Sequence, residues 1–145
     1  MKKACLTLLL LLGSTCSAQT LSTSWGWKSS DAVFGDVAVS VPVYRHHRST
    51  YSGTAAYSHT FGRSDSVLFG AKRTYRWKAY WALFQQVEMG VSHRHCNDNL
   101  ALQVTGGTSY HATRTVDFNF GVKVNKTVSV DPYFTLYAGV SKRFK

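Results

Sequence analysis

Apolar and polar side chains alternate along most of this chain with the period of two that marks β-strands. The clearest stretch runs from Pro132 to Phe144. Phe134, Leu136, Ala138 and Val140 fall on one face, and Tyr133, Thr135, Tyr137, Gly139, Ser141 and Arg143 fall on the other. The same period recurs upstream. Leu21, Thr23, Trp25 and Trp27 lead to the polar turn Ser29-Ser30-Asp31, and Val37, Val39, Val41 and Val43 form a second run. After a polar break from Arg45 to Thr50, Tyr51, Ala55, Tyr57 and Phe61 give a third run, which ends at Gly62-Arg63-Ser64-Asp65. Val67, Phe69 and Ala71 descend to a basic turn at Thr74 to Lys78. Trp81, Leu83, Val87, Met89 and Val91 make a fifth run, Leu100, Leu102, Val104 and Tyr110 a sixth, and Val116 to Val124 a seventh. With the closing segment, the pattern predicts eight strands.

A soluble β-sandwich or lipocalin-like barrel also alternates, but it turns its apolar face inward. Here the face opposite the valines carries Asp36, Gln86, Glu88, Gln103, Asp117, Asn119 and Lys123, which is too polar for a soluble core. Aromatics gather near the predicted strand ends. Tyr44, Tyr51, Tyr75, Trp77, Trp81, Tyr110 and Phe144 fall toward one rim, with Trp25, Trp27, Phe34, Phe61 and Phe134 toward the other. Two such girdles suit the interfaces of a bilayer. Strands of about ten residues are long enough to cross one at a tilt. Strict alternation points Gln85 at lipid, which predicts a bulge or a shifted strand boundary near Phe84-Gln85-Gln86. The local rival is a helix over Ala79 to Met89, which would leave seven strands and an open edge that a bilayer does not tolerate.

The closing segment, with Gly139, its alternating apolar positions and Phe144, resembles the last strand of bacterial outer-membrane β-barrels. In that family the last strand is recognised by the assembly machinery. Lys142 and Lys145 depart from the usual pattern. The resemblance to the small OmpA/OmpX-like class implies an eight-stranded antiparallel up-and-down transmembrane β-barrel in the bacterial outer membrane. It also implies outer-membrane lipids and the assembly machinery as partners.

The start of the sequence agrees with export. Met1-Lys2-Lys3 is basic, Ala4 to Leu12 is a short apolar core, and Cys16-Ser17-Ala18 offers small residues for cleavage, so residues 1–18 read as a signal peptide and 19–145 as one barrel domain. A lipoprotein attached through Cys16 is the alternative, but Gly13-Ser14-Thr15 lacks the expected leucine. Of the three cysteines, Cys96 alone would remain, so no internal disulfide is expected. The formal charge of +10 becomes +8 without Lys2 and Lys3. That excess is polar in its placement. The turns after the second, fourth and sixth predicted strands, with the C-terminal end, hold Arg45, Arg48, Lys72, Arg73, Arg76, Lys78, Arg114, Lys142, Arg143 and Lys145 and no acid. At the other rim Lys28, Arg63, Arg94 and Lys126 balance Asp31, Asp65, Asp98 and Asp131. The basic rim is expected to face the periplasm, where it would meet lipid phosphates, peptidoglycan or an acidic periplasmic partner.

Inside an eight-stranded barrel there is room for side chains and little else. Buried charges there need partners. Lys123 is therefore expected to bridge Asp36 and Glu88, leaving Asp117 for Arg76 or Arg114. Candidates for chemistry are sparse. His93, His95 and Cys96, on a predicted outer loop with Asp98, are the only cluster of suitable residue types, and their spacing matches no closed zinc motif. His46-His47 reads as part of a turn, and His59 and His111 as isolated strand residues. Gly53 and Gly106-Gly107 read as strand bends, since no helix follows to make a phosphate site, and no metal or other cofactor is expected. The aromatics alternate toward the apolar face and form no stacking platform among the basic residues, which argues against nucleic acid. The expected role is that of a non-enzymatic structural or interaction protein of the cell envelope. The alternatives are a lipid-modifying enzyme of acyl hydrolase or transferase type and a narrow gated channel.

Overall fold

A computed structural model describes residues 19–28, 33–61, 64–94, 97–128 and 130–144. The predicted signal peptide lies outside them. Eight antiparallel strands follow one another in chain order: β1 (Thr20–Lys28), β2 (Val33–His46), β3 (Ser49–Thr60), β4 (Ser64–Arg76), β5 (Trp81–Arg94), β6 (Asn97–His111), β7 (Val116–Thr127) and β8 (Val130–Arg143). Each pairs with the next, and β8 pairs with β1, so the sheet closes on itself. No helix occurs among the described residues; of the segment Ala79 to Met89, Trp81 onward is strand in β5, and Ala79 and Tyr80 lie in the turn before it.

The alternation decides which way each face turns. On β8, Thr135 is 1 % exposed while its neighbour Leu136 is 70 % exposed. On β5, Glu88 is 1 % exposed between Val87 and Met89, which are half-exposed or more. Polar side chains therefore fill the lumen and apolar ones coat the outside, the arrangement of a barrel built for hydrocarbon. We call the end holding Gln19 and Phe144 the lower end. There the outer surface carries Tyr44, Tyr51, Tyr75, Trp77, Trp81 and Tyr110, with the Tyr44 and Tyr51 rings tilted to each other at 6.0 Å and those of Trp81 and Tyr110 at 5.0 Å. Trp25, Trp27, Phe61 and Phe134 are exposed toward the upper end.

Three expectations are corrected. Phe34 is not a girdle residue. It is 2 % exposed and points into the lumen beside Asp36, as its even spacing from that residue requires. Gln85 causes no bulge, because the β4–β5 and β5–β6 registers run through it unbroken. It faces outward between Arg73 and Gly106. The irregularities lie elsewhere, between Pro42 and Tyr44 and between Asn125 and Thr127. Proline has no N–H to give the ladder, so a register shift beside Pro42 follows from its chemistry. Finally, β2 and β4 run to His46 and Arg76, through the segments expected to be a polar break and a basic turn. The intervening turn is only His47-Arg48, with His47 at φ 49°.

Candidate functional site

The middle of the lumen is closed by a network centred on Lys123 of β7. Its ammonium pairs with Asp36 of β2 and reaches Ser24 of β1 at 3.5 Å, while the Ser24 hydroxyl donates to the same carboxylate at 3.3 Å. The Phe34 and Tyr137 rings flank the ammonium, with centroids 5.0 and 4.7 Å away. Two glycines bring those rings into place. Gly26 lies opposite Phe34 and Gly121 opposite Tyr137, and a Cβ on Gly26 would come within 2.8 Å of Phe34 Cζ. A cation held between π-faces and paired with a carboxylate away from water is strongly fixed.

Glu88 is not part of that bridge, contrary to expectation. The staggered barrel sets it apart from Lys123, and it accepts instead from Gln103 Nε2 at 3.0 Å. The cation acting on Glu88 is Lys72. Lys72 is also corrected. It was assigned to the basic rim, but β4 continues as strand and turns it into the lumen, with its ammonium over the Phe84 ring at 4.6 Å.

Toward the lower end a second cluster forms around Asp117 of β7. Arg143 of β8 donates to it at 2.9 Å and His111 of β6 lies against it at 2.6 Å, so its partners are neither Arg76 nor Arg114. His111 and Asp117 face each other across the hairpin that joins their strands. Beside them Asn119 accepts from Ser109 at 2.6 Å and donates to Ser141 at 3.0 Å.

These clusters divide the lumen. An upper cavity of 290 Å³ lies among hydroxyl-bearing residues including Ser58, Thr60 and Ser66. A lower one of 490 Å³ lies among Arg45, Arg48, Arg76 and their neighbours. Between them only 40 Å³ is open beside the Lys123 network. Leu68, packed with Ala56, Ala101 and Ala38, borders both the upper and the middle spaces and adds an apolar layer to the obstruction.

The other members of the expected basic rim separate by direction. Arg45, Arg48 and Arg76 line the lower cavity. Arg73 lies outside over the Tyr51 ring at 5.8 Å, Lys78 over Trp77 at 4.9 Å, and Arg114 is exposed in the turn before β7. At the chain's closing strand, Phe144 N donates to Gln19 O at 2.8 Å, and Gly139 packs so tightly on β1 that a Cβ would meet Ser24 Cβ at 2.7 Å.

The upper rim offers little chemistry. His93 is exposed, with Nδ1 2.7 Å from Asp98, and His95 and Cys96 lie outside the described residues. His59 has the same arrangement with Asp65 at 2.5 Å, and Tyr57 donates to that carboxylate at 2.8 Å. The neighbouring serines Ser58, Ser64, Ser66 and Ser92 face the upper cavity, away from these histidines on the outer surface. Among the described residues no group of three or more His, Cys, Asp or Glu side chains is placed to hold a metal.

Comparison with solved structures agrees with this architecture. The chain is similar to a de novo designed transmembrane β-barrel (TM-score 0.67, 8 % identity, covering 90 % of this chain and 98 % of that one). It is also similar to the N-terminal β-barrel domain of Pseudomonas aeruginosa OprF (0.63, 8 % identity, 88 % and 98 %). A third similar structure is the outer membrane enzyme PagL (0.58, 11 % identity, 85 % and 98 %). The fold is that of the small outer-membrane β-barrels. No protein-family model and no curated protein sequence matches the chain. The likeness therefore speaks for the eight-stranded architecture alone, which a designed barrel and an enzyme share.

Proposed function

We propose that this chain resides in the bacterial outer membrane as a non-enzymatic structural or interaction protein of the cell envelope, with its basic lower rim in the periplasm. The observation that carries this reading is the obstructed lumen. The middle of the lumen holds only a 40 Å³ pocket beside a buried ion pair, against 290 and 490 Å³ toward its two ends, so side chains fill the interior there. A channel is disfavoured on that ground. A lipid-modifying activity at the upper rim is disfavoured because the serines there line the lumen while His59 and His93 lie on the outer face. The lower rim, where Arg45, Arg48 and Arg76 line one recess, is the surface offered to a partner, whether peptidoglycan or an acidic periplasmic protein.

The test is conductance in planar bilayers. Wild type inserted from detergent should pass no resolvable current, and Lys123→Ala should produce discrete openings. Steady, large wild-type conductance would overturn the reading. Lipid A profiles that differ between strains with and without the protein, and that revert in His93→Ala, would restore the enzyme alternative.

A further inference from the structure

We propose that the lower mouth of the lumen is a binding site for a compact, multiply charged oxyanion, a phosphate or polycarboxylate group. The inference rests on the reading of the basic rim as the partner-facing surface and gives that surface a ligand. Five cations, Arg45, Arg48, Lys72, Arg76 and Arg143, line one recess of 490 Å³. Among the described residues Asp117 is the only acid lining it, and it is already held by Arg143 and His111. A solvated rim accounts for Arg73 and Lys78, which lie outside on aromatic rings. Arg45, Arg48 and Arg76 instead stand around one concave mouth, with Lys72 and the half-buried Arg143 deeper in the same recess. A concave surface of one sign concentrates its field in the space between its walls, and that space selects the opposite charge.

Two further atoms point to a bound group. Arg143 Nε and His111 Nε2 are buried at this site with no hydrogen-bond partner. Arg143 uses Nη2 on Asp117 and leaves its Nε–H without a partner, and His111 uses Nδ1 on Asp117 and leaves its Nε2 without one. Arginines presenting forked donors suit planar or tetrahedral oxyanions. The volume lies within the range of small-ligand sites. The barrel wall limits the ligand to something slender, either a free anion or acidic groups at the tip of a chain that reaches in from the lower side. The upper cavity makes the contrast: Arg94, Lys126 and Asp131 line it together among serines and threonines.

Calorimetric titration of the refolded barrel in zwitterionic detergent with inorganic triphosphate tests the site. A glutamate hexapeptide, titrated in parallel, tells a free anion from a chain-borne one. Saturable one-to-one binding of either probe is expected, weakened about tenfold or more in Arg45→Gln/Arg76→Gln. The double variant Arg73→Gln/Arg114→Gln, which removes the same charge outside the recess, should bind as wild type does. Heat-modifiable gel migration checks that each variant is folded. If the first fails that check, Arg48→Gln alone should weaken binding about threefold. Absence of saturable binding to both probes, or equal losses in the two double variants, would overturn the proposal. A non-conducting barrel that binds neither probe would sink this site and leave the plugged-barrel reading standing. A conducting barrel would do the reverse.

Discussion

The middle and the lower end of the lumen are both polar, yet they treat charge in opposite ways. In the middle, Lys123 and Asp36 are both nearly enclosed and cancel each other, with aromatic rings and Ser24 completing the enclosure. At the lower end, Asp117 is equally well held, but the recess around it keeps four more cations than acids. A buried pair that is balanced closes space, and an unbalanced wall leaves space with a sign. The comparison teaches that obstruction and recognition are carried by different residues, and that either should be removable without the other.

The largest effect is expected where the pair is most enclosed. Lys123→Ala should lower unfolding stability by about 3–5 kcal/mol, read from urea titration in lipid vesicles, because Asp36 is left charged and alone. A double variant, Lys123→Met/Asp36→Leu, should recover most of that loss, and failure to recover would mean that the pair is not its source. Next comes the packing that holds the rings over Lys123. Gly26→Ala drives a methyl into Phe34 and the β8 backbone and should cost about 1–3 kcal/mol, whereas Gly53→Ala, with nothing within 4 Å, should be close to neutral. At the lower end Arg143→Gln should cost less, about 1–2 kcal/mol, since that side chain is partly exposed and His111 still meets Asp117. It should leave conductance at zero, and new current in this variant would erase the distinction between the two regions. The smallest change is a gain. His47→Gly at the β2–β3 turn should raise stability by up to about 1 kcal/mol by relieving a left-handed backbone, measured by the same urea titration.

Much of this was readable from side-chain period. Alternation gives eight strands, an outward apolar coat, and Asp36, Glu88, Asp117 and Lys123 all on the inner face. It does not give the partners across the lumen, because those depend on how far each strand is staggered against the next. That is why Lys123 meets Asp36 but not Glu88. Two other differences trace to overriding the period with a habit of composition. Phe34 shares its face with Asp36 by spacing alone, and assigning it to a girdle because it is aromatic and near a strand end places it on the wrong side. Lys72 shares its face with Leu68, and reading nearby basic residues as a turn takes it out of the strand that holds it. His111 and Asp117 sit symmetrically about the turn between β6 and β7, a signal that marks facing residues once the hairpin is recognised. The recess itself was not legible, since nothing local tells Arg76, which lines it, from Arg73, which lies outside.

The seam between β1 and β8 joins the earliest and latest strands along nearly the full length of β1, from Thr20 against Arg143 to Lys28 against Thr135. Zipping it is the most remote event in the chain's folding, and it waits for the final strand to be made and delivered. Until then two raw borders stay open to other chains. Quality control of this protein thus falls on its tail: a product cut short before β8 would be a sticky ribbon, prone to clump with its neighbours instead of curling into a cylinder.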